Sequence, residues 1–499
     1  MRICLLALLL AFAGHTIAQK MPDPRPFANS ITAEDLQRHL YIVASKEFEG
    51  RETTTEGQRK TAAYIENHFK SLGLLPGNAG NYQLQYPVFR DSLADAILQI
   101  NGQSFQPEND FAVAPSIDHT ATLMGSEVVF AGYGLSDSTR DDYKGLDARG
   151  KIVLVLNGLP PGKQPVPGSR GPGAYVKQEA AQRNGAAAIL IISSGFPMKL
   201  FGGRSQMYLN EYKKNILPNT FYVSPKVAEA IMGDDYAATG TGKVQPKTYS
   251  MNVMAGLTKR IEQLQSSDVL GFLEGSDLKD QIVVISAHYD HLGKRDTVIY
   301  YGADDDGSGT VSVLELAQAF VKAKEAGKGP RRSILFLANS GEEKGLWGSA
   351  YYSEHPTYPL EKTTVDLNID MIGRIDPNRK QGDSTNYVYV IGDDKLSSDL
   401  HPISEGQNKK YTKLELDYKF NDPHDPQRIY YRSDHYNFAR KGVPIIFYFD
   451  GIHKDYHQPS DTPDKINYDL LEKRARLVFY TAWEMANRDA MLKRDIPLN

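Results

Sequence analysis

Five places in the chain set histidine or carboxylate residues where an apolar run gives way to a loop. The run 282–287 leads into His288-Tyr289-Asp290-His291, and Gly302-Ala303-Asp304-Asp305-Asp306-Gly307-Ser308-Gly309 opens a helical stretch. The run 333–338 leads into Asn339-Ser340-Gly341-Glu342-Glu343, the run 365–369 into Asp370, and the run 444–449 into a segment with Tyr456-His457. Each has a bland reading: a capped loop histidine, a solvated acidic turn, a surface glutamate pair. Three adjacent carboxylates repel one another unless a cation or a helix N-terminus compensates. The alternating acidic spacing of a calcium loop is missing. Taken in order around one sheet edge, a His, an Asp, a Glu, an Asp and a His suit two zinc ions. Zinc accepts imidazole and carboxylate, and a shared carboxylate holds two metals at co-catalytic separation. Of two adjacent glutamates, one can bind metal while the other works as a base. Asp290, two residues after His288, is placed to accept from the second ring nitrogen and fix the tautomer. Spacing does not say which Asp of the triplet is the ligand.

Residues from five loops meet only if the strands before them lie side by side. Buried strands are expected at 282–287, 333–338, 365–369, 387–391 and 444–449. Between the first two lies a helix with Val313, Leu314, Ala317 and Val321 on one face. Strand–loop–helix alternation implies an α/β fold, a mostly parallel sheet with helices on both faces, and ligands at the carboxyl ends of its strands. Near the N-terminus, Thr32-Ala33-Glu34-Asp35 resembles a capping box, and a helix over 57–72 stops at Gly73. Between 117 and 247 the texture changes to short strand-like runs (127–131, 151–156, 187–193, 220–223) and Gly/Pro-rich loops. No cluster of His and carboxylates falls there, so this stretch reads as an accessory insert.

The chain has 499 residues, 41% hydrophobic and 24% charged, which excludes disorder as its main state. Lys and Arg number 57 against 61 Asp and Glu, and no tract is basic enough to follow a phosphate backbone. Nucleic acid is therefore not an expected partner. Residues 1–18 read as a signal peptide: Arg2, an apolar run too short to span a bilayer, then small residues before Gln19. The protein is thus expected to be exported, periplasmic or secreted, without a membrane anchor. The one cysteine, Cys4, lies in this leader, which excludes disulfides, a cysteine-zinc site and cysteine catalysis in the mature chain. Oligomeric state is not readable from the sequence.

Together, His288-Tyr289-Asp290, the 302–309 run, Glu342-Glu343, Asn368-Ile369-Asp370-Met371-Ile372-Gly373 and Tyr456-His457 closely resemble the co-catalytic di-zinc aminopeptidases. These are exopeptidases related to the transferrin receptor and glutamate carboxypeptidase. Val128-Val129-Phe130-Ala131-Gly132-Tyr133-Gly134 and Gly150-Lys151-Ile152-Val153 look like a β-rich protease-associated (PA) domain inserted at 117–247. It would divide a zinc exopeptidase fold into 19–116 and 248–499. The resemblance implies that His288, Asp305 and Asp370 hold one zinc, and that Asp305, Glu343 and His457 hold the other. It further implies Glu342 as general base, Asp290 as the orienter of His288, and Tyr456 as a hydrogen-bond donor to the developing oxyanion. A cis peptide after the bridging Asp305 is implied as well. His291 and His435 are not expected to be ligands, and Asp434 is expected to be structural.

The activity so implied is aminopeptidase action on peptides. Alternatives within the same fold are a carboxypeptidase, a glutaminyl cyclase or a non-catalytic receptor. Glutamate-directed carboxypeptidases clamp a carboxylate with arginines, whereas Phe449-Asp450-Gly451 supplies none. Cyclases of this fold resemble single-zinc sites, and receptor-like relatives lose ligands that are all present here.

Overall fold

A computed structural model describes residues 21–113, 119–160, 162, 174–199, 207–209, 216–239 and 244–498. The expected leader lies outside the described residues. The chain divides into two compact units, 1–86 with 266–499 and the intervening 87–265. The second unit is wider at both ends than the expected 117–247, because Gln83–Ile100 and Lys247–Leu273 are each one continuous strand.

The first unit is built on seven strands: β1 (Lys247–Leu273, through its last residues), β2 (Leu278–His288), β3 (Arg332–Asn339), β4 (Thr363–Ile369), β5 (Tyr387–Ile391), β6 (Glu415–Asp417) and β7 (Ile445–Phe449). Their order is β6-β5-β7-β4-β2-β3-β1. The central four, β7-β4-β2-β3, are mutually parallel, while β1 runs against β3 and β5 runs against β7 but parallel to β6. The central strands read as unbroken apolar runs because both faces are covered. Val283, Ile285 and Ala287 of β2 join a core with α1 (Ala33–Val43), α2 (Glu56–Ser71), α3 (Gly309–Glu325) and α5 (Tyr468–Asn487). Ile282 and Val284 face the other way, into a core with Tyr352 of α4 (Trp347–Glu354) and with Phe438. Period-two alternation thus assigns one strand to two cores.

The N-terminal helices start and stop for the expected reasons. Thr32 accepts the Asp35 N–H at 3.1 Å as the N-cap of α1. After α2 the chain turns at Gly73, φ 71°, a left-handed position that glycine takes without a Cβ clash.

Arg51 ties this N-terminal segment to the sheet edge. Its guanidinium is fully buried and donates to the carbonyls of Val43, Tyr289, Tyr301 and Gly302 at 2.7–2.9 Å. Tyr289 and Gly302 flank two of the acidic loops. Replacing Arg51 by Met strands four buried acceptors, so chemical denaturation is expected to show a loss of about 3–5 kcal/mol. An unchanged midpoint would refute the role.

In the second unit, residues 247–257 pair antiparallel with Ala121–Phe130, which is followed by Ile152–Leu156, Ala188–Ile192 and Asn219–Val223 in parallel, then antiparallel Phe111–Val113.

Candidate metal centre

The ends of β2, β3, β4 and β7 lead to donors at one carboxyl edge of the sheet. His288 is the last residue of β2, and Asp370 follows β4 directly. Glu342 and Glu343 begin a short turn three residues after β3. His457 sits beyond β7 at φ 57°. Asp305 comes from the irregular segment Ala303–Ser308 before α3.

Asp305 lies at the middle of the cluster, with its two oxygens facing different partners. Oδ1 is 3.3 Å from His288 Nε2, which is itself 3.6 Å from Asp370. Oδ2 is 3.0 Å from His457 Nε2, and that nitrogen is 3.1 Å from Glu343. Glu342 stands to one side, 4.0 Å from His288 Nε2. All five expected ligands and the expected base are therefore brought together.

The triplet divides its labour. Asp306 takes three backbone N–H groups, from His288, Gly309 and Met371, so its carboxylate binds three loops to one another although it lies near His288 and Asp370. Asp304 accepts from Gly373 N–H at 2.7 Å and faces His453 at 3.2 Å. Asp461 accepts from the N–H groups of Asp304 and Asp305. The Asp305–Asp306 peptide is cis.

One expectation needs correction. The Asp290 carboxylate is 3.7 Å from His288 Nδ1, and the closer acceptor is the Asp290 main-chain carbonyl at 3.1 Å. Its oxygens are occupied by Thr53 (2.7 Å) and the Glu342 N–H (3.1 Å), so Asp290 positions the Glu342 turn. His291, not expected to be a ligand, is fully buried with Nδ1 2.9 Å from Glu343. The His-x-x-His spacing after β2 was the available signal. Tyr456 lies flat against His457, centroids 3.9 Å apart, and its hydroxyl accepts from Arg432 at 3.1 Å. Asp434 accepts from Ser349, and His435 Nε2 bonds the Tyr430 carbonyl.

The electrostatics match a site that takes up positive charge. Burial pushes Asp305 up, but the His288 and His457 rings outweigh it and hold the carboxyl well below the usual range. Burial would lower His457, yet contact with Asp305 and Glu343 raises it to about 10. Burial pushes Glu342 well above the usual carboxylate range; His288 opposes this, and Glu343 and Asp370 add to it.

Whether zinc suits these residues can be judged from their unpaired atoms. His288 Nε2, Asp305 Oδ2 and Glu343 Oε1 are buried without a hydrogen-bond partner. Buried lone pairs left unpaired are costly, and here they converge. Imidazole and carboxylate are the donors zinc prefers. The set fits.

Imidazole and carboxylate donors gathered at the carboxyl edge of a parallel sheet suit a metal-dependent hydrolase. Residues 268–482 match the model of peptidase family M28. Over 96% of its length the chain is 25% identical to leucine aminopeptidase 2 of Trichophyton equinum, covering 92% of that protein. It is 23% identical to aminopeptidase YwaD of Bacillus subtilis, covering 93% of this chain and 90% of the relative. Among solved structures, an aminopeptidase from Aneurinibacillus sp. strain AM-1 superposes with a TM-score of 0.55 at 20% identity, over 96% of this chain and 99% of the other. A zinc aminopeptidase from Bacillus subtilis gives 0.51 at 20% identity, over 94% and 99%. Both share the fold.

Proposed function

We propose that the chain is an exported aminopeptidase that removes N-terminal residues from peptides with two zinc ions. The observation that carries this reading is Asp305, whose two oxygens face two separate donor groups. His288 and Asp370 would complete one metal position with Asp305, and Glu343 and His457 the other. Bound there, zinc supplies Lewis-acid polarisation of the scissile carbonyl and activation of water. Glu342, beside the donors, accepts a proton from the attacking water and returns it to the leaving amine. Tyr456, steadied by Arg432, is placed to donate to the developing oxyanion. Asp290 holds the Glu342 turn through its main-chain N–H. No helix among the described residues is long and apolar enough to cross a membrane.

A cleft beside the donors indicates which residue is removed. Asp305, Glu342 and Asp370 line one side, and their carboxylate oxygens not taken by zinc can accept from a free ammonium group. Met371, Ile429, Phe447, Phe449 and Ile452 form the other, an apolar surface suited to a leucine or phenylalanine side chain. Leucyl and phenylalanyl substrates are therefore expected to exceed aspartyl ones by at least about tenfold in kcat/KM, the lower range for one apolar side chain in a matched pocket. Aminoacyl-nitroanilides with free and acetylated amines, assayed with zinc counted, test both points. Equal cleavage of acetylated substrates would overturn the aminopeptidase reading. Release of C-terminal residues would instead favour a carboxypeptidase that uses Arg432, the arginine in this cleft.

The unit 87–265 fits the PA-like module expected from the sequence. All of the donors lie outside it.

A further inference from the structure

We propose that His291 is itself a metal ligand, a fourth protein group at the position formed by Asp305, Glu343 and His457. The inference rests on the two-zinc reading above.

The ring is fully buried, and neither nitrogen makes a hydrogen bond. Nδ1 nevertheless lies 2.9 Å from Glu343 Oε1 and 3.8 Å from Asp305 Oδ2. Those two oxygens also lack hydrogen-bond partners. A ring N–H serving Glu343 would point at it with hydrogen-bond geometry; this one does not. Short separations without that geometry describe lone pairs facing one common point, the arrangement of ligands around a cation. An imidazole left unpaired in the interior otherwise carries an uncompensated desolvation cost.

The backbone holds the ring in this place. His291 N–H reaches the Arg51 carbonyl, so the buried Arg51 segment fixes its start. Gly302 lies against the ring: a Cβ there would come within 2.4 Å of His291 Cγ and 2.3 Å of the Asp305 carbonyl oxygen. Any larger residue would push the imidazole off the donors. The His457 ring meets it edge-on, centroids 5.8 Å apart.

The two metal positions then differ. One has four protein donors, two imidazoles and two carboxylates, enough to fill the coordination zinc prefers in closed sites. The other has three, leaving a place for water or substrate. The metal beside His291 should be the more tightly held.

The test is chelator competition on the purified protein, reading zinc stoichiometry and both dissociation constants for the parent, His291→Ala and His291→Gln. Two zinc ions of unequal affinity are expected in the parent, with the tighter constant weakened by at least about tenfold in both variants. Glutamine can donate to Glu343 yet is a poor zinc ligand, so restoration by His291→Gln would reduce His291 to a positioning residue and overturn the proposal. Unchanged constants in both variants would also overturn it. The metal-free variants should unfold at the parent's temperature, and zinc loss traced to a lower one would count against ligation. Fewer than two zinc ions in the parent would overturn the two-metal reading itself, a result distinct from failure in the variants alone.

Discussion

Glu342→Gln lowers turnover by about 10²–10⁴, the range for a lost general base, while bound zinc stays at the parent's level. The asymmetry follows from the geometry of two neighbours. Glu343 touches the imidazoles of His291 and His457 at 2.9 and 3.1 Å, within the donor cluster. Glu342 stays 4.0 Å from the nearest ring nitrogen, and its side chain is 13% exposed toward the cleft. Glutamine keeps its size and the backbone bond to Asp290 but cannot accept the proton. The apolar pocket is untouched, so any rise in KM reports the lost carboxylate on the ammonium side of the cleft. Glu343→Ala should lose zinc and turnover together. Kinetics and metal analysis on both variants decide the matter: zinc loss confined to the Glu342 variant would mean that the roles are exchanged.

Asp305→Ala has the broadest expected effect, because one side chain faces both donor groups. Both affinities for zinc should fall by more than about 100-fold, beyond what loss of a supporting contact costs, and activity should fall with them. Asp304→Asn is the control. It removes charge one residue away, but the Asp304 oxygens face Gly373 and His453, so two zinc ions should remain. Equal losses in the two variants would show a general charge effect in place of a shared ligand.

The central sheet was legible because strands buried on both faces must be apolar throughout; β2, β3, β4, β5 and β7 lie within a few residues of the runs that announced them. The long strands Gln83–Ile100 and Lys247–Leu273 were not. Arg260, Glu262 and Gln263 in the second are solvent-facing, so no continuous apolar signal marks it. Among the donors, residue type was readable and direction was not. Adjacent Asp304, Asp305 and Asp306 look alike in sequence, and only backbone N–H groups drawn from other loops occupy the carboxylates of two of them. His291 shows the same limit in reverse. Its burial depends on Gly302 and Arg51, which no local pattern connects to it.

The order of synthesis follows from how the first unit is divided. Arg476 of α5 bonds the carbonyls of Ala28 and Ile31, and α1 packs on α5, more than 400 residues later in the chain. Residues 87–265 form a continuous segment and are complete while α5 has yet to be made. The growing chain must therefore carry Leu36, Leu40 and Phe69 without their final partners through most of translation. The inserted unit has every contact it needs much earlier. The donor cluster, whose last member in the chain is His457, is among the last parts of the protein to exist. A chain that stops short of His457 holds all of 87–265 but not the whole donor cluster.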